Sequence, residues 1–276
     1  MMPFRSLLKH VAMRLAPNLF WQRRVERLRT ADHEDELILL PLLCRAGQVG
    51  LDVGASAGIY SVRMSGLVSR CIAFEPRPLQ ARELRQMAMH ASLPIQVEEI
   101  AVSDAPGRTI LRILVDDPGR STIEPDNVLV DEDGSTSESV EVLTRTLDSF
   151  GYAPVGFLKV DVEGHELAVL HGAIALLRTQ RPRVLVEVED RHRARAVSDV
   201  CEFMAGVGYS GFFNDGGRLR NVVEFDPAVH QIPGNIGGWK GGWRRHGVYI
   251  NNFIFVPVEE AAALEPNLNA ALAATG

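Results

Sequence analysis

LDVGASAGIYS (residues 51–61) admits two readings. Gly54, Ser56 and Gly58 spell G-x-S-x-G, the sharp strand-to-helix turn that exposes a nucleophilic serine in one class of hydrolases. The same letters form a glycine turn after a short apolar strand, which lets the backbone approach a nucleotide-like cofactor. In the first reading Ser56 attacks a substrate. In the second it is a small residue in a cofactor loop.

The surroundings favour the second reading. Asp52 sits just before the turn, and the next strand, RCIAFEP, ends in an acid, Glu75, 21 residues after Gly54. A glycine turn followed about 20 residues later by a strand-end acid is the spacing that holds a ribose by its hydroxyls. A dinucleotide site would add a third glycine at the helix start, where Ser61 or Val62 stands instead. An acid just before the loop suits a cationic cofactor without a phosphate, which points to S-adenosylmethionine.

Outward from this stretch the pattern is regular. DHEDELILLPLLCRAG (residues 32–47) predicts a helix closed by Gly47, and VGLDV predicts a continuously apolar strand. Helix and strand then alternate through a helix at residues 79–91 and the strand IQVEEIAVS, as in parallel βαβ units covered on both faces. Residues 104–140 are polar, acidic and rich in turn residues, and predict a surface excursion. VGFLKVDVEGHE is the most strongly apolar strand, with a helix predicted over residues 165–177. RVLVEVEDRH repeats that design, and GYSGFFNDGGRLRNVVEF and VYINNFIFVP predict closing strands.

At this point the chain resembles the FkbM-like S-adenosylmethionine-dependent methyltransferases. LDVGASAGIYS resembles their first motif, with Ser56 where Asn is usual, and AFEP their second. AVSDAPG, GRSTIEP, TRTLDSF and NNFIFVP are similar to later segments, and LKVDVEGHE to the most diagnostic one. The resemblance covers residues 33–258. It implies an α/β, Rossmann-like class I methyltransferase fold, a mostly parallel seven-stranded sheet with helices on both faces. It also implies that Asp52, Gly54, Ser56, Gly58, Tyr60 and Glu75 line the cofactor, with Ser103 or Asp104 near its adenine. The expected reaction is O-methylation of a hydroxyl on a saccharide, glycan or secondary metabolite. The alternatives are a serine hydrolase using Ser56 and a non-catalytic cofactor-binding protein on the same fold.

Ligands of parallel sheets bind outside the carboxyl ends of the strands, where Asp161, Glu163, His165 and Glu166 crowd. Strand alternation puts Asp161 and Glu163 on one side. Either is a candidate general base, with His165 as helper. Glu163 and Glu166 can equally compensate a helix dipole. Glu187 and Glu189 alternate on the next strand, before Asp190 and His192. Two acid-rich strand ends raise the option of Mg²⁺, or of bonds to substrate hydroxyls or neighbouring backbone. Phe212, Phe213, Trp239 and Trp243 are candidates either for stacking on the acceptor or for ordinary packing. Lys240, Arg244 and Arg245 would suit an anionic acceptor or a solvated loop.

Bulk properties narrow the rest. A formal net charge of -6 argues against nucleic acid as a partner. Cys44, Cys71 and Cys201 lie far apart, and with no secretory signal expected they suggest reduced thiols in the cytoplasm. Residues 1–32 are expected to form a basic arm, and in its first 30 residues Arg5, Lys9, Arg14, Arg23, Arg24, Arg27 and Arg29 face only Glu26. Phe4, Leu7, Leu8, Val11 and Leu15 recur there at helical spacing. This arm would pack on the domain or on a homodimer mate, or touch an anionic membrane surface. Residues 259–276 are expected to be a tail.

Overall fold

Val49–Val53 (β1) is buried along its whole length, as a strand covered on both faces must be. In the computed structural model, which describes residues 13, 15–30, 34–114, 119–125, 127, 137–236 and 247–274, it lies inside an eight-stranded sheet. Strands are numbered here in chain order. Arg70–Phe74 (β2) and Ile95–Glu98 (β3) extend from β1 to one edge, and Val155–Val160 (β8) and Arg183–Glu187 (β9) extend the other way, all parallel. Asn252–Pro257 (β12) then pairs antiparallel with β9, followed by Tyr209–Asp215 (β10) and Arg218–Asn221 (β11). The order 11-10-12-9-8-1-2-3 reverses direction between β1 and β8. Such a switch point opens a crevice at the carboxyl ends of the strands. The sheet is Rossmann-like, mostly parallel and covered by helices.

The expected seven-stranded sheet falls one strand short of the eight observed. The eighth strand, β11, exists because Gly216 and Gly217 adopt φ of 60° and 90°, a two-residue turn that only residues free to take positive φ form easily. Asn214 Oδ1 accepts the Gly217 N–H at 2.9 Å and closes this hairpin onto β10.

Local sequence also misjudges two helices. The predicted helix over residues 32–47 is a 3₁₀ turn, Asp35–Leu39, joined to one α turn, Leu40–Leu43, because Pro41 cannot donate into a longer ladder. The predicted helix over residues 165–177 is two helices, Glu166–His171 and Ile174–Thr179. The break is at Gly172, where a Cβ would lie 2.1 Å from the Ser103 carbonyl oxygen.

The excursion forms a second sheet from Ala101–Val102 (β4), Gly107–Leu114 (β5), Ser121–Thr122 (β6) and Ser137–Arg145 (β7), with β5 and β7 paired antiparallel. Ala101, Leu111 and Val142 form its small core.

Both chain ends contribute packing. In the helix Pro17–Thr30, Trp21 and Val25 bury against Ala55, Val62, Leu84 and Met87, and Arg24 pairs with Glu83 at 3.0 Å. Phe4, Leu7, Leu8 and Val11 lie outside the described residues, and Leu15 is exposed. Residues Val258–Ala273, read from sequence as a tail, form a helix that buries Leu264, Leu268 and Leu272. At about 1.5–3 kcal/mol per fully buried leucine, this helix is part of the folded unit. No helix among the described residues is long and apolar enough to cross a membrane.

Candidate functional site

The turn after β1 requires its first glycine. Gly54 has φ of 83°, and a Cβ there would lie 1.7 Å from the Asp161 carbonyl oxygen. Gly54 and Ala55 both donate their N–H to the Phe74 carbonyl at 3.0 Å, so the ends of β1, β2 and β8 are drawn together. Ser56 follows at φ 48° and donates its N–H to Glu75 Oε2 at 2.8 Å. Among the described residues its hydroxyl makes no hydrogen bond to a histidine, which leaves the nucleophile reading without a base.

A cavity of about 620 Å³ opens over these strand ends. Phe74, Ile100, Val102, Leu111 and Ile123 give it an apolar wall, the last three from the second sheet and its flank. Glu34, Glu75, Asp161, Glu163, Glu187 and Glu189 give it an acidic one. Ser56 and His165 also reach the wall.

Five sequence-predicted residues do not reach it. Asp52 lies beneath the turn and accepts the Ser61 hydroxyl at 2.5 Å. Burial lifts its carboxyl to about 6, against the pull of that bond and of Lys159. Gly58 serves packing, since a Cβ there would meet Leu84 at 2.5 Å. Tyr60 is buried and donates its hydroxyl to Glu34. Ser103 is turned toward His165 and Asp104, and Asp104 is an exposed turn residue.

Glu75 is buried and fully engaged. Its Oε1 accepts Arg77 N at 2.9 Å and Arg77 Nε at 2.8 Å, and its Oε2 accepts Ser56 N at 2.8 Å and Arg77 Nη2 at 2.9 Å. Four bonds fill the lone pairs of a carboxylate. Arg77 was not singled out in the sequence. Its signal is a guanidinium two residues after the acid, placed to fork onto it.

Lys159 was also missed, although a lysine inside the buried run VGFLKV demands acidic neighbours. Its side chain is 1% exposed, and Nζ lies 3.7 Å from both Asp161 Oδ2 and Glu187 Oε2 and 4.9 Å from the Tyr60 ring centre. Burial alone would lower its pKa, but Asp161, Glu187, Glu34 and Asp52 outweigh it and hold the ammonium charged. This ammonium takes the place between the two strand ends where Mg²⁺ was considered. Among the described residues no three His, Cys, Asp or Glu side chains are grouped to hold a metal.

Burial, then the charge of Asp161, pushes Glu163 and Glu187 well above the usual carboxylate range. Asp161 is also raised by burial, against the pull of Lys159. Glu189 is the exception. Burial acts upward, but the Arg191 fork at 2.5 and 2.8 Å and the Tyr249 hydroxyl hold it low. The expected helper, His165, has both ring nitrogens occupied, Nε2 by Ser103 Oγ at 2.9 Å and Nδ1 by Glu124 Oε2 at 3.2 Å. The imidazole beside Glu163 is that of His192, at 3.1 Å. Phe212 and Phe213 are core residues of β10 and do not face the cavity. Trp239, Lys240, Trp243, Arg244 and Arg245 lie outside the described residues.

Residues 52–210, more than half of the chain, match the Methyltransferase FkbM domain. The chain is 27% identical over 223 residues to the 31-O-demethyl-FK506 methyltransferase FkbM of Streptomyces tacrolimicus, covering 68% of this chain and 80% of that protein. Among solved structures, the methyltransferase FkbM of Methylobacillus flagellatus KT superposes with a TM-score of 0.47 at 16% identity. That match spans 89% of this chain and 60% of the other. Cofactor-bound Rv0187 from MTB gives 0.45 at 13% identity, over 94% and 99% of the two chains. With its domain matched over residues 52–210, this chain belongs to the FkbM methyltransferase family.

Proposed function

We propose that the chain is an S-adenosylmethionine-dependent methyltransferase that methylates a hydroxyl of a saccharide, glycan or secondary metabolite. One observation carries the reading. A buried carboxylate, Glu75, stands in the cavity at the end of β2, beside a turn that only glycine at position 54 can make, with Asp161 and Glu163 on the same cavity wall. The residues fit the cofactor. Glu75 offers acceptors for ribose hydroxyls once Arg77 yields, the Phe74–Ile100–Val102 wall offers apolar contact for adenine, and the carboxylates favour a cation.

When bound, the cofactor supplies a methyl group made electrophilic by its sulfonium charge. The chain supplies placement and proton transfer. Asp161 and Glu163 line the cavity as acceptors for the hydroxyl proton, opposite its apolar wall. A hydroxyl loses its proton as it is methylated, and a carboxylate within reach lowers that barrier. The relative from Streptomyces tacrolimicus carries an O-methyl transfer in its name, which supports oxygen as the acceptor atom.

Titration calorimetry with S-adenosylhomocysteine tests the reading. Micromolar binding by the intact chain, lost in Glu75→Ala, is expected. Absence of binding would leave a non-catalytic protein on this fold as the better account.

A further inference from the structure

Glu163 is held in a backbone conformation that side-chain-bearing residues rarely adopt, with φ of 53°. Its carbonyl oxygen is pinned by Thr122 Oγ1 at 2.7 Å and Asn127 Nδ2 at 2.6 Å, from two buried residues. The next residue, Gly164, has φ of 105°, and a Cβ there would lie 3.1 Å from His192 Cβ. The glycine therefore lets the segments after β8 and β9 close on each other. The product of this forced geometry is a contact between Glu163 Oε2 and His192 Nε2 at 3.1 Å.

Both atoms are buried, and neither has a hydrogen-bond partner among the described residues, so the 3.1 Å contact between them is an ion-pair approach that is not aligned as a hydrogen bond. At 3.1 Å the two orphaned atoms are close enough for one shared proton to satisfy both. We propose that this proton rests on Glu163 Oε2 while the cavity is free of a sulfonium and passes to His192 Nε2 when a sulfonium enters, leaving Glu163 an ionised carboxylate for the acceptor's hydroxyl proton. The inference rests on the S-adenosylmethionine reading of the site.

The surrounding charges set the resting state. Burial, then Asp161, Glu189 and Glu166, disfavours the Glu163 carboxylate, and Arg191 opposes them. Burial, with Arg191 and Arg120, drives His192 down to about 4 against the pull of Glu189. The neutral pair is thus the ground state, and a cation in the acidic cavity favours the charge-separated one. In the transfer the Oε2–H bond breaks and an Nε2–H bond forms, with no proton lost to solvent. Methyl transfer then breaks the acceptor O–H bond, and its proton goes to Glu163. The sulfonium charge has by then gone, and one of the two protons on the pair leaves to water. His192 does not touch the acceptor. It is a positioning residue that holds a proton.

Nitrogen-15 NMR of histidine-labelled protein tests this without any acceptor. His192 is expected to be neutral with S-adenosylhomocysteine and an imidazolium with S-adenosylmethionine, and to stay neutral with both in Glu163→Gln. Calorimetry in two buffers of different ionisation enthalpy gives a second reading. Binding of S-adenosylmethionine should exchange no proton in the intact protein and release about one in His192→Gln, where the stored proton has nowhere else to go. An unchanged His192 in the two complexes, or equal proton release by both proteins, would overturn the proposal. Failure of both ligands to bind would overturn the cofactor reading and this proposal with it, a result distinct from binding without change at His192.

Discussion

Arg77→Ala should make the protein less stable and its cofactor tighter-binding at once. The guanidinium gives Glu75 two of its four hydrogen bonds, at 2.8 and 2.9 Å, and the two side chains are only 5% and 2% exposed. Removing one partner of a buried pair costs about 3–5 kcal/mol. The lower end applies here, because the backbone N–H groups of Ser56 and residue 77 still serve the carboxylate. For a chain of this size that is a fall in Tm on the order of 5–10 °C. Binding moves the other way. In the intact protein ribose hydroxyls must displace both guanidinium bonds, each worth about 1.5–3 kcal/mol. A neighbouring cavity of about 200 Å³, lined by Ser56, Gln80, Glu83 and Gly119, can receive the displaced side chain. The variant has nothing to displace. With part of the gain cancelled by water in the vacated space, affinity should rise about 10- to 100-fold, or about 1.4–2.8 kcal/mol. Thermal unfolding and calorimetry with S-adenosylhomocysteine measure the two effects on one sample. A variant that binds no tighter than the intact protein would refute the displacement.

Gly54→Ala should lose about 2–5 kcal/mol, combining the left-handed backbone with overpacking against the Asp161 carbonyl, and should no longer bind S-adenosylhomocysteine. Gly47→Ala, also at positive φ but with nothing within 4 Å, should lose only about 1–2 kcal/mol in urea unfolding, and equal losses would contradict the clash. Glu166 is buried, and burial lifts its carboxyl from 4.5 to about 7, partly offset by bonds from the Gly164 and Val162 N–H groups. A raised folded-state pKa means that stability is fully present below the unfolded value and is lost as pH climbs toward about 7, by about 3 kcal/mol at most. Both backbone bonds end on Oε1, which glutamine keeps, so Glu166→Gln should make the fall of unfolding free energy between pH 4.5 and 7 less steep than in the intact protein. A slope equal to that of the intact protein would contradict the assignment. Asp52, Asp161, Glu163 and Glu187 are raised as well and leave a slope of the same sign in both proteins.

Features set by strand period and spacing were legible in the sequence. The parallel core, Glu75 at the end of β2, and the carboxylates at the ends of β8 and β9 all follow from where apolar runs stop. Features set by meetings between distant segments were not. Gly172 breaks a helix because Ser103 passes against it, and no local pattern announces Ser103. Asp52 and Tyr60 share the motif with Gly54, yet the carboxylate of Asp52 is turned to Ser61 and Tyr60 is buried with its hydroxyl on Glu34, so sequence adjacency overstated their access to the cavity. His165 and His192 follow equally acidic strand ends. Only the tertiary structure gives the first to Ser103 and Glu124 and the second to Glu163. Lys159 was visible as a lone charge in a buried strand, and the acids around it could have been named as its partners.

The most direct test of the cavity as the cofactor site is a crystal structure with S-adenosylhomocysteine. The ribose hydroxyls should lie within hydrogen-bond distance of Glu75, with Arg77 turned away and the adenine against Phe74, Ile100 and Val102. A ligand bound elsewhere, or one that leaves the Arg77–Glu75 fork intact, would contradict the account.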